Sequence, residues 1–146
     1  MSKVIKIGIS TSKGSVIKSI NSINAIAGKG LENDRFFKEG NNKSSQLTLI
    51  EKENIDYVNA HFGSMIPYEN FRRNIVTEGI KLNFLVNKKI LIGNVEILVH
   101  ELCEPCKHLQ DITSQNNLVK NLVHKGGIRC EILTNGKISV GDTIKY

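Results

Sequence analysis

The sequence predicts a mainly β domain, a barrel or rolled sheet with a few short inserted helices. Three observations predict it. Short runs rich in Val and Ile recur along the whole 146-residue chain. Glycine- and asparagine-bearing turns separate most of them. Only two stretches carry a helical period. Strands that follow one another through tight turns favour a barrel over a doubly wound α/β domain.

Val4, Ile5, Ile7 and Ile9 predict a first strand, ending in Ser10-Thr11-Ser12-Lys13-Gly14. Residues 15–27 are predicted extended, because Val16, Ile17, Ile20, Ile23 and Ile26 are β-branched. Gly28-Lys29-Gly30 is a break, and a polar loop runs through Gly40-Asn41-Asn42-Lys43. Residues 46–50 predict a short strand. Residues 51–62 predict a helix, since Ile55, Val58 and Phe62 fall on one face at spacings of three and four. Gly63 ends it. Residues 71–76 predict a strand closed by Glu78-Gly79. Residues 88–99 alternate apolar positions around Gly93-Asn94, the pattern of a hairpin. Ser114 is a plausible cap for a short helix with Leu118 paired to Leu122 and Val119 to Val123, stopped by Gly126-Gly127. Residues 128–133 predict a strand and Asn135-Gly136 a hairpin turn. Residues 137–146 predict the closing strand, with Gly141-Asp142 as a second turn or bulge.

Length and composition suit one domain, residues 1–146. Apolar residues make up 40% and charged residues 23%, ordinary for a globular protein. The N-terminus lacks the apolar run of a signal peptide, and no stretch of about 18 consecutive apolar residues occurs. A cytoplasmic protein without a membrane span is expected. The formal charge of +6 has two readings. One is a lysine-rich solvated surface; the sharper one is attraction for an anion such as a phosphorylated cofactor. Nucleic acid is not expected, because basic residues are scattered and aromatics make up only 5%.

The chemistry concentrates in Leu102-Cys103-Glu104-Pro105-Cys106-Lys107-His108, which holds two of the three cysteines. In a reducing compartment a Cys-x-x-Cys pair points to metal binding or thiol chemistry. A thiol acts as thiolate, and Lys107 and His108 beside Cys106 would favour that form. Pro105 fixes its own φ and makes the approach to Cys106 rigid. Two thiols at this spacing can pass a disulfide or persulfide between them. The rival reading is zinc, with Cys103, Cys106, Cys130 and one of His100, His108 or His124 as a tetrahedral set. Cys130, between Ile128 and Ile132, also reads simply as core. In Arg72-Arg73-Asn74 the arginine forks suit phosphate or carboxylate, with surface ion pairs as the alternative. On a strand Arg72 and Asn74 would share one face. Asp34-Arg35 reads as an ion-pair or turn-stabilising unit.

Taken together, these segments resemble the MOSC domain, named from the C-terminal domain of molybdenum cofactor sulfurase. Gly30-Leu31-Glu32-Asn33-Asp34-Arg35 is similar to the family's Gly-x-Glu-Gly-Asp-Arg segment. Residues 46–51, Arg72-Arg73-Asn74-Ile75-Val76-Thr77, Leu102-Cys103-Glu104-Pro105-Cys106, Gly126-Gly127-Ile128-Arg129 and Gly141-Asp142 follow in the family's order. The resemblance runs from about residue 8 to residue 144 and is to small single-domain members.

It implies a MOSC-type β-barrel of the kind seen in pyruvate kinase's barrel domain. It implies that Cys106 carries sulfur as a persulfide or ligates molybdenum of a bound pterin cofactor. Cofactor-binding positions carried over are Arg72, Arg73, Asn74, Asp34, Arg35 and Arg129; Cys103, Lys107 and His108 would assist Cys106. Three positions depart from the pattern. Asn33 replaces glycine, yet asparagine tolerates left-handed backbone. Phe36 replaces a frequent histidine. Cys103 replaces a frequent arginine, which strengthens a two-thiol role. Pyridoxal phosphate belongs to the desulfurase domain of larger relatives, and no site for it is visible in this chain.

The expected function is a sulfur carrier or sulfurtransferase for molybdenum cofactor or another metal–sulfur cofactor. Its donor would be a cysteine desulfurase and its acceptor a molybdoenzyme. The alternatives are a molybdenum-cofactor reductase of N-hydroxylated compounds and a non-catalytic zinc-stabilised binding module.

Overall fold

The computed structural model describes residues 2–103 and 125–146. Among the described residues, eight strands form one sheet. They are β1 (Lys3–Ile9), β2 (Lys18–Ile20), β5 (Leu47–Glu51), β6 (Ile75–Glu78), β7 (Lys89–Ile92), β8 (Val95–Leu102), β9 (Ile128–Ile132) and β11 (Ile144–Lys145). Their order is β11-β7-β8-β9-β5-β6-β1-β2, and the sheet curls into a half-barrel. A smaller sheet holds β10 (Gly136–Ser139), β3 (Ser22–Ile26) and β4 (Gly30–Leu31), in that order.

Neighbouring strands run antiparallel, except that β5 and β6 are parallel. A parallel pair needs a crossover. Helix α1 (Lys52–Phe62) and a 3-10 turn at Tyr68–Phe71 provide it. Gly63 closes α1 in the left-handed conformation, φ 61°.

The alternation of β5 explains why there are two apolar layers. Leu47 and Leu49 point into the main core, which collects Val4, Ile7, Ile92, Ile97, Ile128 and Cys130. Ala25, Leu31 and Ile138 of the smaller sheet complete that core. Ile50 points the other way, onto Ile55 and Val58 of α1, with Phe71 and Val76. Burying Ile55 or Val58 contributes about 1.5–3 kcal/mol each.

The mainly β expectation holds, and so do the helix, its glycine stop and the hairpin at Gly93-Asn94. Three local readings need correction. Residues 71–76 are not one strand: Phe71 ends a 3-10 turn, Arg72 is left-handed at φ 60°, and β6 starts at Ile75. Arg72 and Asn74 therefore do not share a strand face. Residues 15–27 are extended as expected, and their two strands, β2 and β3, belong to different sheets. Asn135-Gly136 is not a hairpin turn, because β9 and β10 also lie in different sheets. The Asn135 side-chain oxygen instead accepts from the Ala27 amide at 2.7 Å. The closing strand is two strands, β10 and β11, parted by Gly141 at φ 94°. The helix expected after Ser114 lies outside the described residues. Among the described residues no helix is long and apolar enough to cross a membrane.

Candidate functional site

Three turns meet at the end of β1. The Asp34 carboxylate accepts from the Ser10 amide at 3.1 Å and the Phe36 amide at 3.4 Å. The Arg35 amide donates to the Ser10 carbonyl at 2.6 Å. These bonds dock residues 30–36 on β1. Asn33 takes φ 68°, the left-handed conformation for which the residue is suited.

The Arg35 side chain is only 11% exposed. Its guanidinium lies 3.6 Å from Asp34 Oδ1 and 4.5 Å above the Phe36 ring. Nη1 is buried and has no hydrogen-bond partner among the described residues. Burial lowers the Arg35 pKa. Asp34 opposes that shift, while Arg72 and Arg73 are near enough to reinforce it. The Arg35 charge is thus felt by both of these arginines.

Arg72 extends from its left-handed turn. Its Nη1 donates to the Ser15 carbonyl at 2.8 Å. The loop it touches is held by the Ser10 hydroxyl, which bonds the Ser12 and Ser15 carbonyls and lies against the Ser15 hydroxyl. This serine loop is a wall that the sequence reading passed over. Its signal was the small polar run Ser10-Thr11-Ser12-Lys13-Gly14-Ser15.

Arg73 works differently. Its Nε donates to Gly126 O at 2.9 Å, Nη1 to Phe71 O at 3.3 Å and Nη2 to Cys103 O at 3.4 Å. It thus ties the start of β6 to the exit of β8 and the approach to β9. Asn74 is buried and crosslinks strands. Its side-chain oxygen accepts from Thr48, and its amide nitrogen donates to Gly8 O at 3.2 Å. Arg129 stands in β9 between Thr48 of β5 and Glu101 of β8.

Cys103 is 2% exposed, and its amide donates to Gly127 O at 2.7 Å. Cys130 is core, as its sequence surroundings suggested. Burial pushes its thiol pKa up, and nearby Cys103 adds to the shift, so it stays protonated. His100 falls at a bulge in β8 and lies 2.8 Å from Glu131 Oε1. Among the described residues no three His, Cys, Asp or Glu side chains gather as a metal site. Cys106, Lys107, His108 and His124 lie outside the described residues.

The Arg35 and Arg72 guanidinium groups, with Arg35 Nη1 lacking a hydrogen-bond partner among the described residues, fit an oxyanion such as a phosphate. They therefore fit the phosphate end of a molybdenum–pterin cofactor.

The fold and site together define a curled β domain in which Arg35, Arg72 and Arg73 stand near the end of β1 and Arg73 reaches the Cys103 turn. The MOSC domain family model matches residues 34–145, and the chain belongs to that family, which is associated with molybdenum cofactor. Among solved structures, the YuaD protein from Bacillus subtilis is similar at TM-score 0.84 and 20% identity, over 100% of this chain and 97% of that one. YiiM from Geobacillus stearothermophilus gives TM-score 0.82 and 14% identity, over 99% of this chain and 74% of that one. YiiM from Escherichia coli gives 0.72 and 16%, over 98% and 68%. At these identities the likeness concerns the fold. No curated protein matches the chain.

Proposed function

We propose that the protein is a sulfur carrier of the MOSC family, with Cys106 as the sulfur-bearing thiol and a molybdenum–pterin cofactor as its anionic substrate. One observation carries the reading: the buried Arg35 Nη1 has no hydrogen-bond partner among the described residues, Arg72 and Arg73 act on its charge, and Arg73 reaches the Cys103 carbonyl where β8 ends. Cys106 follows three positions later in the chain.

In the loading step the Cys106 thiolate attacks the outer sulfur of a donor persulfide. The donor's S–S bond breaks, a new S–S bond forms on Cys106, and the donor thiolate leaves. Nothing is oxidised or reduced overall. Lys107 and His108 favour the attacking thiolate. A cysteine desulfurase is the proposed donor. Arg35 and Arg72 hold the substrate's phosphate. Asp34 orients Arg35 through its backbone contacts, and Asn74 fixes the turn that presents Arg72.

The same arginines favour a second reading, a resident cofactor. Arg35 and Arg72 would then hold its phosphate and Cys106 would ligate it. The cofactor would supply the redox chemistry for reducing N-hydroxylated compounds.

Native mass spectrometry with metal analysis separates the two. The carrier reading expects one added sulfur, lost on reduction and absent in Cys106→Ser. Stoichiometric molybdenum and pterin would move the protein to the second reading. Unchanged sulfur loading in Cys106→Ser would sink the first.

A further inference from the structure

We propose that the cavity between the start of α1 and the turn after β6 is a binding site for a small primary ammonium, held by the buried carboxylate of Glu51. It draws on neither the arginines nor Cys106.

Glu51, Glu53, Gly79, Ile80 and Lys81 line a space of about 130 Å³. Glu51 is 6% exposed, so its carboxylate is a buried charge. Oε2 accepts from the Leu82 amide at 3.2 Å, the one side-chain hydrogen bond of Glu51 among the described residues. Oε1 is left to the cavity that the side chain lines.

Capping does not explain this residue. Glu51 is the N-cap of α1, where a side-chain oxygen ordinarily accepts from the first helical amides. Glu51 makes no such bond. A buried charge that is only partly paired is costly, and the space beside it has room for the missing partner.

Glu53 adds a second carboxylate. Its Oε2 accepts from the Gly79 amide at 2.9 Å, and Oε1 has no hydrogen bond among the described residues. Lys81 lines the same space, yet among the described residues no ion pair joins it to either carboxylate. The three side chains together carry a net negative charge that a monocation cancels.

The donor set selects among cations. Among the described residues no three His, Cys, Asp or Glu side chains gather as a metal site. A guanidinium pairs best with both oxygens of one carboxylate, and Oε2 is taken in each. An ammonium has three N–H groups and needs one oxygen for each, so one ammonium can serve both carboxylates. A water molecule's share of the liquid is about 30 Å³, so the space suits about four non-hydrogen atoms. Ile80, itself buried, offers an apolar wall to a short alkyl stem.

The test titrates the isotope-labelled full chain with ethylammonium chloride at neutral pH, followed by amide NMR. Sodium chloride at equal ionic strength is the control. The Leu82 and Gly79 amides report directly, because they donate to the two carboxylates. Both are expected to shift saturably with ethylammonium and to stay still with tetramethylammonium, which has the charge but no N–H. Glu51→Gln removes the charge while its side-chain oxygen can still accept from Leu82. Its affinity for ethylammonium should fall about tenfold or more, the scale of a charge-assisted hydrogen bond. Glu53→Gln changes an exposed position where the fold is least at risk, and should weaken binding severalfold. Equal shifts from tetramethylammonium would reduce the effect to screening and overturn the site. Saturation by magnesium chloride but not by ethylammonium would overturn the ligand class. If no salt moves the two amides, or if neither variant weakens binding, the proposal falls.

Discussion

Asn74 and Thr48 hold each other through three hydrogen bonds. The Asn74 amide donates to Thr48 Oγ1 at 3.0 Å, the Thr48 amide donates to Asn74 Oδ1 at 3.1 Å, and the Thr48 hydroxyl donates to the same oxygen at 3.2 Å. Asn74 also exchanges two bonds with the Gly8 backbone, so one side chain links β1, β5 and the start of β6. Asn74→Ala would leave the Thr48 amide and Gly8 carbonyl without this partner. A loss of about 2–4 kcal/mol is expected in urea unfolding. Sulfate affinity should fall too, because Arg72 and Arg73 precede Asn74. A variant that binds sulfate weakly at unchanged stability would instead make Asn74 a direct ligand.

Gly127 presses on the β5 backbone. A Cβ built there would lie 1.9 Å from Leu49 O, and φ is 97°. Both facts demand glycine. Gly127→Ala is expected to cost more than about 3 kcal/mol and to give mostly insoluble protein. Recovery of soluble, cooperatively unfolding protein at wild-type stability would contradict the close approach.

How much of this was legible in the sequence depends on what carried the information. Helix α1 was legible because a periodic apolar face and a terminal glycine are local signals. The Gly93-Asn94 hairpin was legible for the same reason. Residues 71–76 misled because Phe71-Arg72-Arg73-Asn74-Ile75-Val76 has strand-like composition. Its shape is set by long-range bonds instead, from Arg72 to Ser15 and from Asn74 to Gly8 and Thr48. Asn135-Gly136 misled because a turn dipeptide says nothing about which sheet receives the next strand. Arg72-Arg73-Asn74 was legible from its residues as an anion candidate, whereas Arg35 joined it only as a family position. That Arg35 is buried with an N–H group lacking a described hydrogen-bond partner, while Arg73 bonds backbone carbonyls, comes from the tertiary structure alone.

Glu51 gives a prediction in pH. It is 6% exposed, and its Oε2 accepts from the Leu82 amide at 3.2 Å. Burial pushes its pKa above the ordinary 4.5; the Leu82 bond and Lys81 pull back, and Glu53 adds to the rise. The folded state therefore holds the proton to higher pH than the unfolded chain. Stability must fall as pH rises from about 4.5 through the raised folded value. Glu51→Gln removes this loss, and its side-chain oxygen can still accept from Leu82. The variant should be more stable than wild type at pH 7, with the advantage shrinking below about pH 4.5. Urea titrations across that range decide it; a variant less stable at pH 7 would mean that the charged hydrogen bond outweighs burial.

Arg35 sets stability against binding. Its guanidinium is mostly buried, feels the charges of Arg72 and Arg73, and leaves Nη1 with a 3.6 Å ion pair to Asp34 but no described hydrogen-bond partner. Burial, repulsion and the missing hydrogen bond each disfavour the folded chain in the absence of an anion. Arg35→Met keeps most of the side-chain length, removes the buried charge and places sulfur near the Phe36 ring, a favourable contact. Asp34 loses its ion pair at 3.6 Å but keeps the Ser10 and Phe36 amides. Replacing a poorly paired buried ion by an apolar side chain is often neutral or stabilising. Arg35→Met should therefore unfold within about 1 kcal/mol of wild type, or later in urea. Its sulfate affinity should drop by about tenfold or more, since a charged hydrogen-bond donor is gone. A residue kept only for the fold would behave in the opposite way. It would lose about 3 kcal/mol or more on substitution while sulfate binding followed the remaining folded fraction.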